Sequence, residues 1–154
     1  MAGHFRVQRR IEAPIDVVWA VVSDHAGYSA WTPLAVSELT VVGDDDPNGV
    51  GAVRRLGMWP RFSFERVVEF EPPRHLAYVL DSGLPVRGYR ADCDLRELSG
   101  GAATLLLYSA SWESTPPGLG LAMDGLLRTI LSSFARLMDR EAVRRVAAGV
   151  RSGL

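Results

Sequence analysis

Apolar and polar residues alternate along the first dozen positions of the chain. Phe5, Val7 and Ile11 are apolar, and charged residues such as Arg6 and Arg10 lie between them. Successive side chains of a strand point to opposite faces, so this period of two indicates a strand with one buried face.

Two short helices are predicted to follow. Ala13 and Pro14 come next in the chain, and proline suits the first turn of a helix, where its missing N–H would have no partner. Valines at positions 17, 18, 21 and 22 then recur at helical spacing. Residues 24–31 are expected to form the second short helix.

The middle of the chain, residues 36–113, has the pattern of strands separated by turns. Segments rich in Gly, Pro, Asp or Ser fall at residues 43–49, 57–60, 71–74, 82–87 and 99–101. This spacing predicts about six further strands in an antiparallel meander.

One long helix is predicted from residue 118 to about residue 148, after the prolines at 116 and 117. Its expected apolar stripe consists of Met123, Leu126, Leu127, Ile130, Phe134 and Leu137. Arg128, Ser132 and Asp139 are expected on the opposite side.

The order of elements predicts an α+β fold in which a curved antiparallel sheet of about seven strands surrounds a long C-terminal helix. Packing the helix across the concave face would bury its apolar stripe. Because a curved sheet and a helix seldom fit flush, a cavity is expected between them. The chain has no internal repeat or linker, so residues 1–154 are interpreted as one domain.

Composition removes several classes of function. The net charge of −1 lacks the basic surplus that a nucleic-acid surface needs. The single cysteine, Cys93, cannot form an intrachain disulfide. Since no apolar run approaches the ~18 residues of a membrane span, we expect no integral membrane contact. We therefore predict a cytoplasmic protein; the sequence does not decide between a monomer and a homodimer.

Four segments resemble the SRPBCC superfamily, which includes START-related lipid-transfer domains and polyketide cyclases and dehydrases. They are residues 11–14 (IEAP), 31–33 (WTP), 68–74 (VEFEPPR) and 100–108, which carry Gly100, Gly101 and Tyr108. The resemblance covers nearly the whole chain. It implies a helix-grip fold with a deep pocket, and it leaves the ligand and any catalysis open, because one fold supports many functions.

Aromatic and apolar residues supply most candidates for the cavity wall. Tyr108 and Trp112 share one face of the last strand, which the resemblance turns inward; plain core packing is the alternative. Trp59 is expected in a loop at the cavity mouth, or else at an exposed hairpin tip. The remaining apolar candidates are Trp31, Phe62, Tyr78, Met123, Leu127, Ile130 and Phe134.

Arg54 and Glu65 are the polar candidates. Either side chain could turn inward and anchor an acidic or hydroxylated ligand, or both could face solvent. The sequence alone does not show which of the two faces the cavity.

No metal site or cofactor is expected. The histidines at positions 4, 25 and 75 lack the spacing to cysteines or carboxylates that sequence motifs of zinc sites show. Residues 44–49 begin like a calcium loop, but the twelfth position is Arg55 and not glutamate.

Three functions therefore remain, and a regulatory or toxin-like interaction protein built on the same shell ranks third among them. The first is a protein that binds a small hydrophobic molecule of the lipid, isoprenoid or polyketide kind. The second is a polyketide cyclase or dehydratase that uses the same cavity, for which the sequence offers no evident catalytic pair.

Overall fold

The computed structural model describes residues 2–113 and 115–152, with side chains up to residue 149. The predicted domain limits at residues 1 and 154 lie outside it. The chain begins with strand β1 (Gly3–Ile11), helix α1 (Ile15–Ser23) and a short 3₁₀ helix (His25–Ala30). Pro14 is the N-cap residue of α1 and has an extended backbone, so it lies just before the first helical turn in which the sequence placed it.

Six more strands complete an antiparallel sheet of seven. They are β2 (Val36–Val41), β3 (Val53–Met58), β4 (Arg61–Glu71), β5 (His75–Ser82), β6 (Arg90–Leu98) and β7 (Ala103–Trp112). The sheet order is β1-β7-β6-β5-β4-β3-β2, so β7 returns to pair with β1 and the other neighbours follow chain order. The predicted number of strands and the predicted meander are confirmed.

Helix α2 (Gly120–Ser152) follows the sheet and packs against β1 and α1. The curved sheet and this helix form the helix-grip arrangement that the resemblance implied. Within the described part of the chain, no helix is both long and apolar enough to cross a membrane.

The predicted apolar stripe of α2 was partly wrong. The buried apolar positions are Leu127, Leu131, Ala135, Met138 and Ala142, whereas Leu126 is 50% exposed and Ile130 is 37% exposed. The alanines have no bulk that would keep the helix away from its neighbours, so their side of α2 can pack closely. When only the large apolar side chains are used to define the stripe, part of it falls on the exposed side of α2.

Glycine at position 83 lets the β5–β6 connection lie directly against β4. Its backbone has φ of +108°, and a Cβ atom there would come within 2.0 Å of the Phe62 carbonyl oxygen. Any other residue would push the two segments apart. This contact lies at one end of the sheet, beside the opening described below.

The observed rotation of α2 leads to a first prediction. Leu131→Ala should lower the free energy of unfolding by about 2–5 kcal/mol, because Leu131 is only 3% exposed and its truncation removes buried apolar contacts. Leu126→Ala removes the same atoms from an exposed site and should change it by less than about 0.5 kcal/mol. Urea unfolding of both variants gives the comparison. Equal losses would contradict the orientation of the helix.

Candidate functional site

A buried ion pair lies on the inner face of the sheet, on the second and third strands from the β2 edge. Arg54 and Glu65 stand directly opposite each other on β3 and β4. Nε and Nη2 of Arg54 contact Oε2 of Glu65 at 2.8 and 2.6 Å. Arg54 is only 2% exposed and Glu65 8%. Both polar candidates therefore turn inward, and they neutralise each other there.

Three ring systems surround the Arg54 guanidinium. Its central carbon lies 4.1 Å from the centre of the Tyr78 ring and 4.9 Å from that of Tyr28, within the range of cation–π attraction. Its Nη1 lies 3.3 Å from Nδ1 of His25. Burial opposes the charge, but Glu65 and the tyrosines outweigh it and raise the pKa of Arg54 well above its usual value. Arg54 is therefore a permanent cation inside the protein.

Burial and the neighbouring Arg54 cation keep His25 neutral. Its Nε2 lies 3.0 Å from the backbone oxygen of Asn48, which can only accept, so Nε2 carries the proton. Nδ1 is then free to accept from Arg54. Burial and the Arg54 charge lower the pKa of His25 to about 3.

Tyr78 also forms a hydrogen bond with a further tyrosine, Tyr108, through their hydroxyl groups. The hydroxyl oxygens of Tyr78 and Tyr108 are 2.6 Å apart, and either one can be the donor. Only one of the two protons is used in this bond, so the other can be donated elsewhere. Burial raises the pKa of both phenols, which keeps them neutral at physiological pH.

A cavity of about 170 Å³ lies between the sheet and α2, and the ion pair and the three tyrosines form part of its wall. Its polar wall includes Arg54, Glu65 and the tyrosine pair, and its apolar wall includes residues of α2. Its opening lies between α2, the β3–β4 hairpin and the β5–β6 connection. The full lining is Tyr28, Leu34, Arg54, Leu56, Gly57, Arg61, Phe62, Ser63, Glu65, Tyr78, Gly83, Leu84, Tyr89, Tyr108, Leu127, Ile130, Leu131 and Phe134.

Two polar groups of the lining are available to a ligand. The contacts of Arg54 are to Oε2 of Glu65, and no described residue donates a hydrogen bond to Oε1. Tyr89 is 5% exposed, and its hydroxyl forms no hydrogen bond with the described residues. A ligand hydroxyl could donate to Oε1 of Glu65, and a ligand hydroxyl or carbonyl oxygen could accept from the Tyr89 hydroxyl.

The cavity brings together eight of the twelve residues that the sequence analysis selected. They are Arg54, Phe62, Glu65, Tyr78, Tyr108, Leu127, Ile130 and Phe134. Ile130 lies partly exposed among them, on the helix beside the opening.

The other four selected residues lie elsewhere. Trp59 is 84% exposed at the tip of the β3–β4 hairpin, the alternative that the sequence had left open. Trp31 stacks behind Tyr28, with 4.6 Å between ring centres. Met123 is half-buried against the core outside the cavity. Trp112 is buried on β7, but its ring covers Gly3 of β1 at the far end of the strand.

Several lining residues were missed by sequence reasoning. Tyr28 and Leu34 enter from the 3₁₀ helix and the segment after it, where periodicity does not define a face. Leu84 and Tyr89 belong to the β5–β6 connection, where periodicity does not define a face either. Leu131 was missed because the α2 stripe was placed too far to one side. Alternation would have revealed Leu56, which shares the inward face of β3 with Arg54.

Cys93 has no reactive role in this arrangement. It is buried on β6, and burial raises the pKa of its thiol to about 12. A protonated thiol is a poor nucleophile, so the chemistry of the cavity rests on oxygen and nitrogen groups.

The curved sheet, the gripping helix and the cavity between them define a START-like helix-grip domain. The chain belongs to the family described as polyketide cyclase / dehydrase and lipid transport, whose model matches residues 2–150. No curated protein sequence matches the chain.

Solved structures with the same fold cover nearly the whole chain. A START superfamily protein from Mycobacterium smegmatis has a TM-score of 0.78 at 16% identity, covering 92% of this chain and 97% of its own. The ZhuI aromatase/cyclase from Streptomyces sp. R1128 has 0.73 at 20% identity, covering 95% and 96%. Norcoclaurine synthase from Thalictrum flavum, solved with dopamine and hydroxybenzaldehyde, has 0.71 at 15%, covering 94% and 88%. At these identities the likeness establishes the fold alone.

The ion pair leads to a second prediction. Glu65→Gln leaves the Arg54 cation buried without a counter-charge and should lower the free energy of unfolding by about 3–5 kcal/mol. Glu38→Gln is the matched control, because it breaks the more exposed Arg55–Glu38 pair of the same sheet and should cost less than about 1 kcal/mol. Denaturant unfolding measures both. A loss for Glu65→Gln no larger than that of the control would contradict the burial of the pair.

The neutral His25 leads to a third prediction, for pH dependence. Its native pKa of about 3 lies below the unfolded value of about 6.5, so the unfolded chain binds the extra proton. The stabilisation is therefore complete above pH 6.5 and is lost as the pH falls towards 3, by up to about 1.4 kcal/mol per pH unit.

The variant His25→Asn, whose amide oxygen can still accept from Arg54, should have a shallower decline between pH 6.5 and 5. The measurement is the free energy of unfolding of both proteins across that interval. All other titrating groups are common to the two proteins, so the difference in slope reports His25. Parallel curves would show that His25 titrates normally in the native state.

Proposed function

We propose that the cavity binds a compact aromatic molecule bearing a hydroxyl or carbonyl oxygen, of the polyketide-like kind. The observation that carries this proposal is the pairing of an apolar wall with two polar groups, Glu65 Oε1 and the Tyr89 hydroxyl, that form no hydrogen bond with the described residues. Binding sites commonly combine an apolar lining with a few placed polar groups that fix orientation.

The volume favours this class of ligand over a long lipid chain. A cavity of roughly 150 Å³ in another protein holds benzene, so about 170 Å³ accommodates a ring system of similar scale. A larger ligand would have to extend through the opening beside Ile130 and Arg61. The norcoclaurine synthase structure, whose named ligands are small oxygenated compounds, gives support by analogy of fold.

A matched pair of ligands tests the polar contact. Purified protein should bind 2-naphthol and naphthalene with about 1:1 stoichiometry in calorimetry, and it should bind 2-naphthol more tightly. Tyr89→Phe should weaken 2-naphthol binding by about 3–10-fold, the value of one neutral hydrogen bond, and leave naphthalene binding unchanged. The variant should keep the wild-type stability, because the hydroxyl has no protein partner.

Trp112→Phe is the control, because Trp112 is buried outside the cavity and its loss should not change either affinity. Failure of both compounds to bind below about 1 mM would contradict the proposal. Equal weakening of both ligands by Tyr89→Phe would contradict the role of its hydroxyl.

One observation favours an enzyme as the second candidate. The tyrosine pair and the Glu65 carboxylate place neutral proton donors and a proton acceptor in the same cavity. In an aldol cyclisation, a tyrosine could donate to the carbonyl oxygen that gains charge, while the enclosed wall holds the chain folded.

A short linear poly-β-ketone thioester distinguishes the two functions. An enzyme should convert it to a cyclised product that has lost water, detected by mass spectrometry, and Tyr108→Phe should slow the conversion while retaining binding. If the thioester cyclises no faster with the protein than without it, catalysis is excluded and ligand binding remains as the proposed function.

A further inference from the structure

A second cluster of polar side chains lies on the outer face of the sheet, away from the cavity. At its centre is His75 of β5, whose Nε2 lies 2.5 Å from Oε2 of Glu69 and 3.8 Å from Oδ1 of Asp92. Its other ring nitrogen, Nδ1, lies 2.7 Å from Oδ1 of Asp94. The two strands that flank β5 thus direct three carboxylates at one imidazole, Glu69 from β4 and both Asp92 and Asp94 from β6.

The register of the strands explains this convergence. Ala77 pairs with Glu69 on one side and Asp92 on the other, and His75 lies two positions earlier on the same face. Ala77 is fully buried despite facing outward, because the longer side chains around it close over its methyl group. Its short side chain keeps the space between the two carboxylates free of a bulky group from β5.

A bulge in β4 supplies one of the carboxylates. Val67 pairs with Tyr78 and Glu69 with Ala77, so Val68 is an extra residue in the strand. Val67 is buried in the core, and regular alternation would turn Glu69 to the same inner face. The bulge turns Glu69 outward beside His75. Bulges often redirect a side chain in this way next to functional sites.

The orientation of His75 is that of a metal ligand. A histidine that binds a metal through one ring nitrogen usually donates the other N–H to a carboxylate, which fixes its tautomer and its ring plane. Asp94 occupies that position at Nδ1, and Nε2 faces the carboxylates of Glu69 and Asp92. The potential ligand atoms of Glu69, His75 and Asp92 all lie within 4.8 Å of one another.

We propose that Glu69, His75 and Asp92 form a binding site for a divalent transition-metal ion such as Zn²⁺, with Asp94 as the positioning residue. One imidazole nitrogen and two carboxylate oxygens form a donor set of the zinc type, and a fourth position remains for water. Sequence spacing could not reveal this site, because its three ligands come from three strands that only the register brings together.

Arg90 competes with the metal. Its Nη2 lies 3.0 Å from Oε2 of Glu69 and 2.9 Å from Oδ1 of Asp92, so it neutralises the two carboxylates that would hold the ion. Arg90 is about two-fifths exposed, and its long side chain can swing into solvent when the ion enters. The alternative is an ionic network of Arg90 and a charged His75 that binds no metal.

Calorimetric titration of the tag-free, chelator-treated protein with Zn²⁺ at pH 7.5 separates these two alternatives. The wild type should bind one ion, and His75→Gln should weaken the binding at least tenfold. His4→Gln alters an exposed histidine elsewhere and should leave the affinity unchanged. Circular dichroism and urea unfolding confirm that each variant is folded.

Arg90→Gln provides the sharpest test. Removal of a competitor should tighten Zn²⁺ binding several-fold, whereas loss of a purely ionic network would only lower stability. Asp94→Asn should weaken binding less than His75→Gln does. The proposal is overturned if no 1:1 binding occurs below about 100 µM, if binding survives His75→Gln, or if Arg90→Gln brings no gain.

Discussion

The Arg54–Glu65 ion pair constrains the rest of the interior. A buried cation needs a counter-charge and further polar or aromatic neighbours, since its transfer out of water costs several kcal/mol. Glu65 supplies the counter-charge, His25 an acceptor and two tyrosine rings the π faces. These groups come from β3, β4, β5 and the 3₁₀ helix, so the pair fixes how four segments meet. A wholly apolar interior would not have required these four segments to bring charged and polar groups together.

The general fold was accessible from the sequence because it depends on local regularities. Alternation in β1, the turn residues of the meander and the length of α2 each survive in the structure. The rotation of α2 was not accessible, because Ala135 and Ala142 carry little hydrophobic signal and yet allow the closest packing. A stripe chosen from the large apolar residues therefore predicted the helix correctly but placed its buried face incorrectly.

The candidate site was predictable only in part, for a related reason. Alternation assigns residues to faces, but a charged residue on an inward position contradicts the rule that charges face solvent. For Arg54 and Glu65 that conflict is resolved only when both are seen opposite each other across two strands. Trp112 shows the reverse case, since it does share the inward face with Tyr108 and still lies beyond the end of the cavity.

The hydroxyl pair of Tyr78 and Tyr108 has a consequence for the range of molecules that the interior could tolerate. Reversal of the bond between the two oxygens requires only rotation of protons, with no movement of a heavy atom. The pair is thus amphoteric: at either oxygen it can present a proton or a lone pair. Keto and enol tautomers of one molecule, which differ in the polarity of a single oxygen, would find equally matched partners there.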